Sequence, residues 1–368
     1  MKKFTKALVA VATASALALA GCGTTEREGS TSSTSGAAGG FAKDSTIGVA
    51  LPQKTSENWV LAEQLFKDGL AEAGYKADVQ FANGGVSEQQ NQIQAMVTKG
   101  AKVIIVGAID GSQLGTQLEA AKASGATIIA YDRLVKNTTA VDYYVAYDNF
   151  KVGELQGTAL LEGLKARKGG SGPYNIELIA GSPDDANSQV FFDGAMSVLK
   201  PEIDKGTLVV KSGQTSFQQV STQGWKAENA QKRMDTIMSS TYSGNTELHG
   251  ILSPNDTLAR AAMTSVKAAG KDVPVVTGQD SEVESVKSIM AGEQYSTIYK
   301  DTTALVKHAI TMVNDLQSGK TPEVNDDKSY DNGNKVVPAY LLEPKIVTKE
   351  TAADIYKDDK TLGPLTKA

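Results

Sequence analysis

The chain has 368 residues, enough for two or three domains at about 100–200 residues each. With 40% apolar and 21% charged residues it is not a disordered polymer, and 37 Lys+Arg against 42 Asp+Glu offer no excess of positive charge for a nucleic-acid backbone. One cysteine and two histidines cannot assemble a disulfide framework or a four-ligand Cys/His zinc cage.

The chain opens with Lys2, Lys3 and Lys6 and then an apolar run over residues 7–20 that is short for a bilayer span, the pattern of a secretory signal. The run ends in Leu19-Ala20-Gly21-Cys22, which resembles the lipobox of bacterial lipoproteins. There the cysteine sulfur carries a diacylglyceryl anchor and becomes the new N-terminus. The expectation is an extracytoplasmic protein held to the cell membrane through the lipid on Cys22, with residues 1–21 removed. Residues 22–44 are rich in Ser, Thr and Gly and read as a flexible linker with a root-mean-square span of about 25 Å.

Beyond the linker, short β-branched runs alternate with helical periods, the sign of βαβ units around parallel sheets. Strands are expected at 47–51, 77–82, 102–107, 127–131 and 142–146. Helices are expected at 59–74, 87–99 and 113–124, with Leu61, Leu65 and Leu70 on the inner face of the first and Ile93, Met96 and Val97 on that of the second. A second series follows: helix 151–166, strand 175–180, helix 187–199, strand 207–211, helix 224–239, strand 249–253, helix 256–269 and strand 273–277. Helix 281–291, strand 295–299, helix 302–318 and a last strand near 336–343 remain after two similar halves.

Open α/β sheets bind ligands outside the carboxyl ends of their strands. Polar residues collect there: Lys54, Asn58 and Trp59 after the first strand, Asp132-Arg133 after 127–131, Asn187 after 175–180, Asn255 after 249–253, Asp280 after 273–277 and Lys300 after 295–299. Helix capping is the competing role, and for Asp148, Asp256 and Asp301 it weighs at least as much as ligand contact. An adjacent acceptor and forked donor, Asp132-Arg133, suits a polyhydroxylated molecule. Trp59 suits an apolar ring face, Phe217 the opposing wall, and Trp225, opening a helical period, reads as core.

The stretches AYDRLV (130–135), GSPDDAN (181–187), AMSVLKP (195–201), VVTGQD (275–280), AGEQYSTIYKDT (291–302) and DNGNKVVPAYLLEP (331–344) together resemble the sugar-binding proteins of bacterial ABC importers, closest to the xylose and multiple-monosaccharide branch. The resemblance implies a type I periplasmic-binding-protein fold, two doubly wound parallel-sheet α/β lobes joined by a three-segment hinge. On that template the first lobe comprises 45–149 and 301–328 and the second 150–300 and 329–368, with crossings near Asn149, near Tyr299-Lys300 and in 325–336. It implies a monosaccharide held by Asp132, Arg133, Asn187, Asn255, Asp280 and Lys300 and stacked on Trp59, then handed as a monomer to a permease served by a separate ATPase. Asn58 stands where xylose-binding relatives carry arginine, and no aromatic follows Gln214 in register, which argues against xylose.

Other chemistries fit less well. Asp132 and Asp280 facing a sugar are the equipment of a glycosidase, yet hydrogen-bond acceptors need no special pKa, so no enzyme and no cofactor is expected. Gly319-Lys320-Thr321 lacks the glycine of a Walker A motif at Asn314. Asp326, Asp327 and Asp331 miss the oxygen spacing of a calcium loop and read as a solvated interlobe turn. His249 and His308 read as packing or surface residues. A sugar receptor that presents its ligand to a membrane sensor uses the same closing lobes and is the alternative to import.

Overall fold

The computed structural model describes residues 40–54 and 56–367; the export signal, Cys22 and most of the linker lie outside the described residues. The first half runs β1 Thr46–Leu51, α1 Glu57–Glu72, β2 Lys76–Phe81, α2 Val86–Thr98, β3 Val103–Val106, α3 Gly115–Ala123, β4 Thr127–Tyr131 and β5 Tyr143–Tyr147. The second runs α4 Asn149–Lys168, β6 Tyr174–Leu178, α5 Ala186–Asp204, β7 Leu208–Val210, α6 Phe217–Val220, α7 Ala227–Ser240, β8 Gly250–Leu252, α8 Asp256–Ala268, β9 Val275–Val276, α9 Val283–Met290 and β10 Ser296–Tyr299. α10 Thr302–Gln317, β11 Ala339–Leu342, β12 Lys345–Thr348 and α11 Ala352–Ile355 complete it.

Strands such as β3, with all four residues VIIV buried, are apolar on both faces because helices cover both sides of a parallel sheet. The first sheet has the order β2-β1-β3-β4-β5-β11 and the second β7-β6-β8-β9. β10 adjoins β9 through Tyr295 N to Val276 O (3.1 Å) and Asp280 N to Ile298 O (2.9 Å), and pairs antiparallel with β12. The two lobes are therefore variations on one doubly wound plan. In each, the strand order reverses beside the first strand, between β1 and β3 and between β6 and β8, where such sheets leave a crevice.

Five expectations are corrected. The buried stripe of α1 is Trp59, Ala62, Phe66 and Leu70, while Leu61 is 46% exposed, because the indole of Trp59 rather than a leucine sets the helix rotation. The last strand of the 336–343 region joins the first lobe, not the second: β11 lies parallel to β5, closing a sheet edge that would otherwise carry unpaired backbone groups. The third crossing is accordingly at Glu343-Pro344, between β11 and β12, rather than in 325–336. That earlier segment folds onto the first lobe, with Asn332 Nδ2 donating to Thr138 O (2.8 Å) and Asn137 N to Asn332 O (2.7 Å), so the acidic residues there are not an interlobe turn. Finally, the linker stops short of residue 44, since Phe41 packs on Tyr75 and its carbonyl accepts from Gln317 Nε2 at 2.9 Å.

α4 carries the chain from the hinge into the second lobe and lies directly on α5. A Cβ on Gly153 would fall 2.0 Å from Phe191 O, and one on Gly194 would fall 2.2 Å from Phe150 O. The two helices therefore meet backbone to backbone, a contact only glycine permits, and this fixes the helix that brings Asn187 and Phe191 to the interlobe cleft.

Candidate functional site

Loops from the carboxyl ends of both sheets enclose a cavity between the lobes, with about 420 Å³ of atom-free space including its mouth. The first lobe supplies Asn58 and Trp59 from the start of α1 and Asp132-Arg133 from the turn after β4. Trp59 is 4% exposed and meets Tyr131 edge-on at 6.1 Å between ring centroids. Asn58 accepts from the Ser56 hydroxyl, which also reaches the cavity.

Asp132 and Asp280 occupy matching places in the two lobes. Each follows the fourth strand of its half, each adopts a left-handed backbone (φ 60° and 90°), and each donates its amide to the next strand, Asp132 to Val145 O and Asp280 to Ile298 O, both at 2.9 Å. Non-glycine residues rarely sit there, and such strain persists where surrounding structure fixes it. Here it turns both carboxylates out of their sheets toward the same hollow. Asn255 caps α8 through Oδ1, accepting from Leu258 N at 3.0 Å, which leaves its amide nitrogen as a donor at the cavity.

Lys300, 9% exposed, lies between the carboxylates, its Nζ 3.2 Å from Asp280 Oδ1 and 3.7 Å from Asp132 Oδ2. Burial, the largest influence on this ammonium, opposes its charge, but Asp280 and then Asp132 outweigh it, and the pKa ends above the ordinary lysine value. The Asp280 contact is an ion pair without hydrogen-bond geometry, so Oδ1 retains unused acceptor capacity; the buried Oε1 of Gln279, also at the cavity, is likewise unpartnered. Buried acceptors of this kind are costly unless something donates to them.

Eight of the expected residues therefore converge: Asn58, Trp59, Asp132, Arg133, Asn187, Asn255, Asp280 and Lys300. Two do not. Lys54 turns along the outside of α1, paired with Glu63 at 3.0 Å and over the Phe81 ring, because the chain bends between β1 and α1. Phe217 heads the short α6 and packs on Phe192, facing a separate surface groove. The aromatic surfaces of the second lobe are instead Phe191 and Trp225.

Trp225, read from sequence as core, is both core and cavity wall. It is 8% exposed, has φ 55°, and precedes rather than belongs to α7; Gly181 makes room for it, since a Cβ there would lie 2.2 Å from the indole. The Gly224-Trp225 pair was a turn signal that helical spacing masked. Ser56, Asp185 and Gln279 were also missed. Among the capping residues, Asp148 accepts from Lys151 N and Asp301 from Thr303 N and Ala304 N, as expected. Asp256 is not a cap: it is buried beneath Asn255, accepting from Gln294 Nε2, Glu282 N and Thr297 Oγ1, and burial, then Glu282, pushes its carboxyl well up.

The lobes are closed on each other. Asn187 Nδ2 donates to Asp132 O at 2.7 Å, Gly111 N to Asp184 O at 3.1 Å, Gln53 Nε2 to Gly224 O at 3.3 Å and Val283 N to Glu57 Oε2 at 2.9 Å. Among the described residues, no group of three or more His, Cys, Asp or Glu is placed to hold a metal, and no helix is long and apolar enough to cross a membrane.

Residues 47–321 match the family model described as periplasmic binding protein domain. The chain is 50% identical over 315 residues, 84% of its length and 88% of the relative's, to the multiple sugar-binding periplasmic receptor ChvE of Rhizobium radiobacter. It is 34% identical over 319 residues, 86% and 91% of the two chains, to the D-xylose-binding periplasmic protein of Escherichia coli K12. A solved ABC transporter solute-binding protein from Clostridium phytofermentans with bound β-D-glucose superposes with a TM-score of 0.83 at 40% identity, covering 88% of this chain and 100% of that one.

Proposed function

Because the chain belongs to the periplasmic binding protein family, with the type I fold of its structural neighbours, we propose that it captures a monosaccharide between its lobes and delivers it unchanged to an ABC importer. The observation that carries this reading is the cavity itself. It joins two indoles and a phenyl ring to carboxylates, amides, one guanidinium and one ammonium, drawn from both hinged lobes. A monosaccharide has an apolar C–H face and a rim of hydroxyls, each a donor and an acceptor. Trp59 and Trp225 suit the face, Asp132 and Asp280 the hydroxyl protons, and Asn255 and Lys300 the hydroxyl oxygens. Charge-assisted bonds contribute about 1.5–3 kcal/mol each, so an epimer that leaves one buried carboxylate unpaired is rejected.

A ligand touching both lobes favours closure by its differential affinity for the closed form, and that form is what a permease recognises in this reading. Cys22, once lipidated, holds the protein at the outer side of the cell membrane, the linker lets the body move above it, and the body acts as a monomer. The ATPase is a separate chain. The resemblance of residues 19–22 to a lipobox supports the anchor.

The test is a thermal-shift screen of monosaccharides followed by calorimetry. A sugar at 100 times its Kd adds about 2.7 kcal/mol of stability, and D-glucose is expected among the binders. Asp280→Ala weakens the best binder at least about tenfold, the loss of one charge-assisted bond; an unchanged affinity removes Asp280 from the site. A hexose 6-phosphate binds at least about a hundredfold more weakly than the parent sugar. Both cations are already committed to carboxylates, so the phosphate meets no free positive charge and must lose its hydration. Equal affinity for ester and parent sugar contradicts the assignment. Loss of labelled-sugar uptake on deletion of the chain separates import from sensing.

A further inference from the structure

Asp185 stands at the junction of the lobes and was not singled out by any strand-end pattern. It caps α5, its Oδ1 accepting from Asn187 N at 2.9 Å. Its Oδ2 takes two further partners at 3.1 Å each: Nε of Arg133 from the opposite lobe, and Nε1 of Trp225 from its own. Both carboxylate oxygens thus have protein partners, and the Arg133–Asp185 pair is nearly dry, with side-chain exposures of 7% and 3%. Arg133 also donates to Ala108 O at 3.1 Å and lies 5.3 Å from the Trp59 ring centroid. A continuous belt, Trp59, Arg133, Asp185, Trp225, thus runs around the cavity from one lobe to the other.

Two consequences follow from this geometry. The charge of Arg133 is matched by a protein carboxylate, while its second Nη and the remaining N–H of the first stay available to a sugar hydroxyl. And the distance between Arg133 and Asp185 is set by the hinge angle, so the pair exists only when the lobes are closed, whereas the cap and the Trp225 bond lie within the second lobe and survive opening.

We propose that Asp185 is the positioning residue that closes the cleft: through Arg133 it adds a direct interlobe bond to the closed state, and through the same oxygen it holds the Trp225 indole against the ligand. The inference rests on the proposed sugar-binding function for its ligand but not for its interlobe bond. Closure then draws on protein–protein contacts as well as on the sugar, which raises the fraction of binding-competent molecules and so the apparent affinity. The residue acts on escape of bound sugar rather than on its entry, since the bond forms after the sugar has arrived.

Asp185→Asn is the informative variant, because asparagine caps a helix as well as aspartate does while losing the charge that faces Arg133. Both tryptophans of the chain line the cavity, so intrinsic fluorescence reads binding directly. In stopped-flow mixing with D-glucose, Asp185→Asn should dissociate at least about tenfold faster with an association rate within about threefold of wild type, and its ligand-free melting temperature should be nearly unchanged. An unchanged dissociation rate overturns the proposal, as does a fall in melting temperature that accounts for the whole effect. Small-angle scattering of the ligand-free proteins keeps the two readings apart. If wild type binds no monosaccharide, the functional assignment fails, yet a more open Asp185→Asn profile still supports the latch and identical profiles reject it.

Discussion

Replacing Lys300 with methionine should cost more than about a hundredfold in affinity for the preferred sugar, the largest effect expected of any single side chain at the site. Lys300 is the cation between Asp280 and Asp132, at 3.2 and 3.7 Å, and it is 9% exposed. Methionine keeps the length of the stem and removes the charge, leaving carboxylates from the two lobes to repel each other across a poorly solvated gap. Truncating one partner of a buried pair costs about 3–5 kcal/mol, most of it the penalty of the charge left behind. That penalty falls on the closed form, because opening restores water to both carboxylates. Calorimetry should therefore show weak binding in a protein that still folds, and scattering should show it open even with sugar present. Retained affinity would remove Lys300 from the electrostatics of closure. The pH dependence has a definite sign. The folded-state pKa is raised, so the ion-pair contribution is complete below the ordinary lysine pKa and disappears as pH climbs through the raised value. Wild type should lose stability on that alkaline limb, and Lys300→Met should lack this component of the loss.

Gly194→Val should destabilise the protein by about 3 kcal/mol, the upper part of the range for overpacking, measured by denaturant unfolding. A Cβ at 194 meets the carbonyl oxygen of Phe150 at 2.2 Å and the amide nitrogen of Glu154 at 3.0 Å. These are backbone atoms of α4, so no rotamer change relieves the clash and the helices must separate. Gly153 makes the reciprocal contact from the other side, which makes the crossing intolerant at both positions. Since α4 leaves the hinge at Asn149 and α5 carries Asn187 and Phe191, separation also displaces cavity residues. Sugar affinity should fall along with stability, and a variant as stable as wild type would show that the helices can part without cost.

Much of the element order was legible because a buried parallel strand and an amphipathic helix each write a period into the sequence. The runs VIIV at 103–106 and TIIAY at 127–131 are short and rich in β-branched residues, as strands of a covered sheet are. The strand-end rule then located Asp132, Asn255, Asp280 and Lys300, because a strand's carboxyl end is readable once the strand is. It failed for Lys54, which lies at a strand end but turns onto the outer face of α1 to meet Glu63. It did not reach Trp225, and it passed over Asp185 within the run 181–187 in favour of Asn187. Their roles depend on a glycine at 181 that admits the indole and on a partner from the other lobe, and neither leaves a local mark.

By itself, the sequence determined the α/β class, the duplicated strand–helix series and the chemical types at the strand ends, since these follow from short-range periodicity and residue chemistry. The tertiary structure decided which sheet edge β11 completes, where the third crossing lies, which aromatics wall the cavity, and that Arg133 pairs with Asp185 across the cleft. Those are relations between segments far apart in the chain. They are set by the packing of whole lobes and the angle between them, and a pattern of neighbouring residues carries no record of either.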